Sequence, residues 1–332
     1  MAIGARWSVV VFMKSILYYI VLSLLFVLNK LPYCVLYLIS DIMYFLVYYL
    51  VRYRRKVVRD NLVKSFPEKS LKEIKKIERK FYSSLCDYFF ETIKLYGLSE
   101  KQMRKRMVFT GLEDVNRMLS KGHSCVCYMG HFINWEYITS ISLHFNDDNL
   151  VIGDIYHPLE NKRFDRLMKK VRDQYGAESI TMANTLRRIL QITKEKKKYL
   201  IGFIADQVPT WESINHWVDF LHRDTPVFTG TEKIAQRTQA SLFYLKIKRV
   251  KRGYYTAHFE FFAEDASKMA EFEPTNRYYE LLEQDIKENP ELWLWTHKRW
   301  KRTRAGYEKR ERIREEGRKR LLKKKDENIL QG

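Results

Sequence analysis

The chain is poor in cysteine and poor in acid. Its four cysteines, Cys34, Cys86, Cys125 and Cys127, form no CxxC pair and no zinc-ligand spacing. That argues against a disulfide framework or a metal site and for buried free thiols in a reducing compartment. Carboxylates are outnumbered: 40 Asp and Glu stand against 60 Lys and Arg, a formal net charge of +20. Such an excess specifies no fold, but it attracts anionic partners: nucleic acid, acidic lipid headgroups or an acidic carrier protein. There is no helix-turn-helix signal, RNP-type aromatic motif or KH-type GxxG, which leaves nucleic-acid binding with charge as its only support. No internal repeat appears, and no small-x-small cleavage site follows the apolar N-terminal stretch.

What is abundant is apolar and aromatic surface. Hydrophobic residues make up 46% of the 332 residues, with 22 Tyr, 19 Phe and 7 Trp. That is enough for one large folded domain. Residues Trp7 to Val51 are mostly apolar. Trp7 to Leu28 carries one lysine near its outer end, where it can snorkel, and is long enough to span a bilayer. Leu31 to Val51 is equally long but has Asp41 at its middle, and a mid-membrane Asp costs roughly 2.5–3.5 kcal/mol. The expectation is one spanning helix followed by an amphipathic segment on the bilayer or on the domain; a two-helix hairpin is the alternative. The cluster Arg52, Arg54, Arg55, Lys56 and Arg59 places the body on the cytoplasmic side by the positive-inside rule. Three regions result: 1–51 membrane-associated, 52–304 the main domain, and 305–332 a basic tail. Between Lys298 and Lys325 there are 15 Lys and Arg against 4 Glu, a stretch that reads as a solvated helix or as a contact with an anionic membrane.

Within the body, Ser70-Leu71-Lys72-Glu73 is a capping box opening a helix that Gly97 ends. Further helices are expected from Ser99, over Leu112–Ser120, Arg163–Tyr175 (closed by Gly176), Thr185–Lys196, Thr231–Gln239 and Asn276–Glu288, with a short element from Glu291 to Trp300. Cys125–Met129, Leu150–Ile155 and Tyr199–Ile204 are apolar runs without polar alternation, as strands buried on both faces show. Ser241–Val250 and Tyr254–Phe262 read as strands joined at Arg252-Gly253. Strands alternating with helices predict an α/β fold: a mostly parallel central sheet flanked by helices, with an N-terminal membrane helix.

The chemistry centres on Gly130-His131-Phe132-Ile133-Asn134-Trp135-Glu136. His131 falls just past the carboxyl end of a buried strand, the edge where open α/β sheets bind ligands. There it can take a proton from a hydroxyl, and Glu136 can support the imidazolium as a triad carboxylate does. Residues five apart on a regular helix are ~140° apart around its axis, so this pairing requires His131 to lie in the turn before the helix. His123, His144, His216, His222 and His258 show no ligand spacing and read as structural or surface residues; Trp293, Trp295 and Trp300 read as core or interfacial anchors.

GHFINWE resembles the H-x4-D/E motif of the lysophospholipid acyltransferase superfamily, and more closely that of the late (secondary) acyltransferases of lipid A biosynthesis. Further similar segments are Tyr156-His157-Pro158 through Leu167, Arg172, Phe203-Ile204-Ala205-Asp206-Gln207, Phe228-Thr229-Gly230, and Asn289-Pro290-Glu291 through Trp300. Together they run from about Arg52 to Arg304. This sequence has His157 where the family often has arginine. The resemblance implies transfer of a fatty acyl chain from a thioester on acyl carrier protein, or coenzyme A, to a hydroxyl of a 3-hydroxyacyl chain on a lipid A precursor. It implies His131 as base and Glu136 as its carboxylate, with Arg172, Asp206, Asn134 and Arg166 supporting the site. Backbone N–H groups near the helix start would hold the oxyanion. It implies no metal or cofactor, and residence in the bacterial inner membrane with the catalytic domain in the cytoplasm. Acyl transfer to a lysophospholipid or an amino-acid lipid is the nearest alternative; a non-catalytic, membrane-tethered nucleic-acid-binding protein is the alternative from another class.

Overall fold

The computed structural model describes residues 18–330. Part of the expected span Trp7–Leu28 therefore lies outside the described residues; from Tyr18 to Lys30 the chain is an apolar helix, α1. Helix α2 (Tyr33–Phe45) runs on through a π turn to Leu50, and Tyr33–Leu50 is itself long and apolar enough to cross a membrane. The charge that spoke against this second segment is answered by tertiary structure: Asp41 is ion-paired with Arg252 at 2.7 Å. On the same helix Ser40 donates to Asp87 and Tyr37 to Glu91. One face of α2 thus docks on the domain by polar contacts, while Leu38, Ile42, Phe45 and Leu50 stay exposed.

The body follows as α3 (Arg55–Ser65), α4 (Leu71–Leu95), α5 (Glu100–Arg106), β1 (Met107–Thr110), α6 (Leu112–Ser120) and β2 (Cys125–Met129). A 3-10 helix (Trp135–His144) then leads to β3 (Leu150–Tyr156), α7 (Lys162–Asp173), β4 (Glu178–Thr181), α8 (Thr185–Lys194) and β5 (Lys198–Ile204). After these come β6 (His216–Asp219), β7 (Asp224–Val227), α9 (Gly230–Arg237), β8 (Ser241–Lys251), β9 (Tyr254–Ala263), α10 (Glu273–Glu288) and α11 (Arg304–Leu330). Local signals did their work at the helix starts. Ser70 and Glu73 form a reciprocal capping box at α4, and Ser99 and Gln102 another at α5.

Seven strands form one sheet in the order β1-β9-β8-β2-β5-β3-β4, and β6 and β7 form a separate antiparallel pair. Within the large sheet every neighbouring pair is parallel except β8–β9. This is the expected mostly parallel α/β architecture. The antiparallel β8–β9 pair turns at Gly253, whose φ of +76° suits a residue without Cβ. Strands β2 and β5 lie at the centre, and every residue of β2 is buried, which is why its sequence shows no alternation.

Two expectations change. The four-residue strands β1, β4, β6 and β7 carry too little pattern to be seen in sequence. The segment Glu291–Trp300 is not a regular element; it is an irregular strap that crosses the site, bridging Phe132 to Trp293.

Candidate active site

Parallel register brings the site together. In the β2–β5 pair Met129 lies opposite Ile204. His131 and Asp206, each two residues beyond its strand, therefore meet at the carboxyl edge of the sheet. The His131 ring Nδ1 lies 2.5 Å from Asp206 Oδ1, and the His131 backbone N–H donates to Asp206 Oδ2 at 2.7 Å. The Trp293 indole N–H, carried in by the strap, donates to the same Oδ2 at 2.7 Å. Asp206 is almost fully buried. Burial would raise its pKa, but the facing imidazole and these three hydrogen bonds outweigh it and hold the carboxyl below its ordinary range.

An ionised carboxylate only accepts hydrogen bonds, so Nδ1 carries the proton and Nε2 holds the lone pair. The Gln207 side-chain amide, 3.1 Å from Nε2, is then the donor in that contact. His131 thus has a basic nitrogen at the cavity and an anchored N–H behind it.

The expected His131–Glu136 pairing does not form. His131 does lie in the turn before the helix, but its ring is drawn to Asp206, and Glu136 faces a different partner. Arg172 of α7 grips Glu136 through two hydrogen bonds, Nε to Oε2 at 2.8 Å and Nη2 to Oε1 at 2.7 Å. Glu136 is buried and Arg172 nearly so. Burial lowers the Arg172 pKa, and the bonds and charge of Glu136 more than reverse this. Between the two pairs stands Trp135, its ring 5.1 Å edge-on from the imidazole and 4.3 Å from the Tyr88 ring.

His131, Glu136 and Arg172 border one cavity of about 720 Å³. Its floor is one face of the sheet: Met129 on β2, Leu200 and Ile204 on β5, Ile152 on β3; Ile138 and Ile141 of the 3-10 helix cover it. Gly202, in the middle of the floor, makes room for the Met129 side chain. A Cβ there would lie 2.3 Å from the Met129 methyl, which occupies that space. The result is a mostly apolar chamber with an imidazole at its rim, shaped to hold a hydrocarbon chain beside a base.

Other expectations fare differently. Asn134 is fully buried and donates its amide to Glu91 at 2.8 Å; Glu91 also accepts from Tyr37 and Tyr255. It ties the His131 turn to α4 and α2 rather than facing the cavity. Burial raises the Glu91 pKa to about 7, against those three hydrogen bonds. Arg166 is exposed on α7 and does not line the cavity. The backbone N–H groups of His131, Phe132 and Ile133 are already taken by Asp206, Gly130 and Leu292, so they offer no oxyanion hole. His157 lies at the cavity wall and is exposed.

Sequence reasoning gave no role to Gln207, and it read Trp293 as an anchor; membership of the strap was the only available signal for its bond to Asp206. Asp154, in a strand read only as apolar, lines the cavity, and its Oδ1 has no hydrogen-bond partner among the described residues. Burial lifts its pKa to about 7.

An α/β sheet with a histidine–carboxylate pair at its edge over a lipophilic chamber is a site able to take a proton beside a hydrocarbon chain, as acyl transfer to a hydroxyl requires. The family model described as bacterial lipid A biosynthesis acyltransferase matches residues 6–302, and the chain belongs to that family. Comparison with curated proteins returns no match.

Proposed function

We propose that the protein transfers a fatty acyl chain from an acyl carrier protein thioester to a hydroxyl on a 3-hydroxyacyl chain of a lipid A precursor, with His131 as base. The reading rests above all on the His131–Asp206 dyad at the rim of the apolar chamber. The acceptor hydroxyl docks on Nε2, displacing Gln207, and His131 takes its proton as the oxygen attacks the thioester carbonyl. Asp206 keeps the productive tautomer and stabilises the imidazolium. Collapse of the tetrahedral intermediate expels the thiolate, which recovers the proton from His131. The Gln207 amide, freed from the ring, and the Arg172 guanidinium, both on the cavity wall, would supply the side-chain donors to the oxyanion. Glu136 acts as a positioning residue that aims Arg172.

A carrier-protein donor is favoured by the excess of basic residues, since such carriers are acidic. The exposed apolar faces of α1 and α2, followed by the Arg52–Arg59 cluster, favour a membrane-bound enzyme with its domain in the cytoplasm. The test is turnover of purified enzyme with acyl carrier protein thioester and a lipid A precursor, beside a lysophospholipid. His131→Ala is expected to lose at least ~100-fold of the rate. Transfer to the lysophospholipid alone would remove the proposed acceptor, and full activity of His131→Ala would remove the proposed mechanism.

A further inference from the structure

A second cavity, of about 740 Å³, is lined by α3 and by the end of the strap with the chain just beyond it. Seven Lys and Arg side chains line it with two carboxylates, leaving five positive charges in excess. Both carboxylates are already matched, Asp60 with Lys64 and Asp224 with Arg304. Lys56, Lys298 and Lys301 are exposed and have no ion pair among the described residues. Arg223 sits over the Trp300 ring, its guanidinium carbon 3.1 Å from the ring centre. Its Nε, like that of Arg302, is buried without a hydrogen-bond partner among the described residues. Burial lowers the Arg223 pKa to about 10, so the group is still charged at neutral pH. Like charges crowded around a hollow repel one another unless an anion sits among them.

The position of the groove identifies the anion. One wall is α3, whose first turn carries Lys56 only six residues after Leu50, where the exposed apolar stretch of α2 ends. The other wall is the strap and the chain beyond it. The two walls are tied together: Arg54 donates to the Thr296 carbonyl, and Asn61 to those of Trp295 and His297. The strongly basic helix α11 starts at the rim with Arg304. An unneutralised cationic hollow beside the end of an apolar helix faces the depth at which lipid phosphates lie. We propose that this groove binds the phosphate of an anionic membrane phospholipid and fixes the domain against the bilayer.

The inference does not rest on the acyl-transfer chemistry, because the experiment measures binding. Detergent-solubilised full-length protein is titrated with phosphatidylglycerol and, separately, phosphatidylcholine, and bound lipid is counted by native mass spectrometry. Wild type is expected to prefer phosphatidylglycerol. Lys298→Gln with Lys301→Gln should weaken that binding about thirtyfold, or about fivefold per lysine near an anionic surface, at an unchanged melting temperature. Lys309→Gln with Lys319→Gln on α11 should leave it intact. Equal retention of both lipids would overturn the proposal, as would equal loss in the α11 control. So would inorganic phosphate binding as tightly as the lipid, or a variant that keeps its lipid and loses only a phosphorylated acceptor or the carrier protein.

Discussion

Asp206 and Glu136 make an instructive pair. Both are buried carboxylates, and each is paired with one basic side chain that lines the chamber. The partners differ in kind. An imidazole gains and loses a proton near neutral pH, so Asp206 sits behind a group able to do proton transfer. A guanidinium keeps its charge throughout that range, so Glu136–Arg172 is a fixed ion pair that holds shape and direction. The residue five places from the histidine in sequence thus pairs with Arg172, and the one 75 residues away is the carboxylate that touches the imidazole. Motif spacing records which residues the site needs; it does not record which of them touch.

The sharpest way to break this distinction is to remove each charge with little change of shape. Asp206→Asn should cost the most, on the order of 10³- to 10⁴-fold in kcat, because it favours the wrong imidazole tautomer; steady-state kinetics at saturating thioester would measure it. If Glu136→Gln reduced kcat more than Asp206→Asn, the assignment would be reversed. Glu136→Gln should act first on stability, by roughly 3–5 kcal/mol, since it strands the buried Arg172 charge. Chemical unfolding of Glu136→Gln, Arg172→Gln and the double variant should show the second substitution costing much less than the first.

Trp293→Phe keeps the ring and removes one donor from Asp206. A hydrogen bond to a charged group contributes roughly 1.5–3 kcal/mol. The rate should fall about tenfold at saturating thioester, as one donor to the Asp206 carboxylate is lost. An unchanged rate would leave the indole a packing role only. The smallest effect concerns His297, held near a pKa of about 4 by burial, with Asp206 pulling the other way. Between about pH 4 and 6.5 the unfolded chain binds more protons at this residue. Its contribution to stability therefore rises with pH through that window and is complete above it. His297→Asn should flatten unfolding stability across that range, and an unchanged slope would show that another group is responsible.

The sequence by itself determined the α/β class, the central buried strands and the capped helices, because burial on both faces and reciprocal capping are written in a few adjacent residues. The resemblance carried by GHFINWE and its companion segments also pointed to the acyltransferase class, which the family match bears out. Tertiary structure alone decided who pairs with whom. The parallel register of β2 against β5 puts Asp206, and not Glu136, on His131. The strap brings Trp293 across, and the β8–β9 turn delivers Arg252 to Asp41, which docks α2 on the domain. The physical reason is common to all three. A buried charge is stabilised by whatever lies within a few ångströms, and chain distance says little about that until the sheet is assembled.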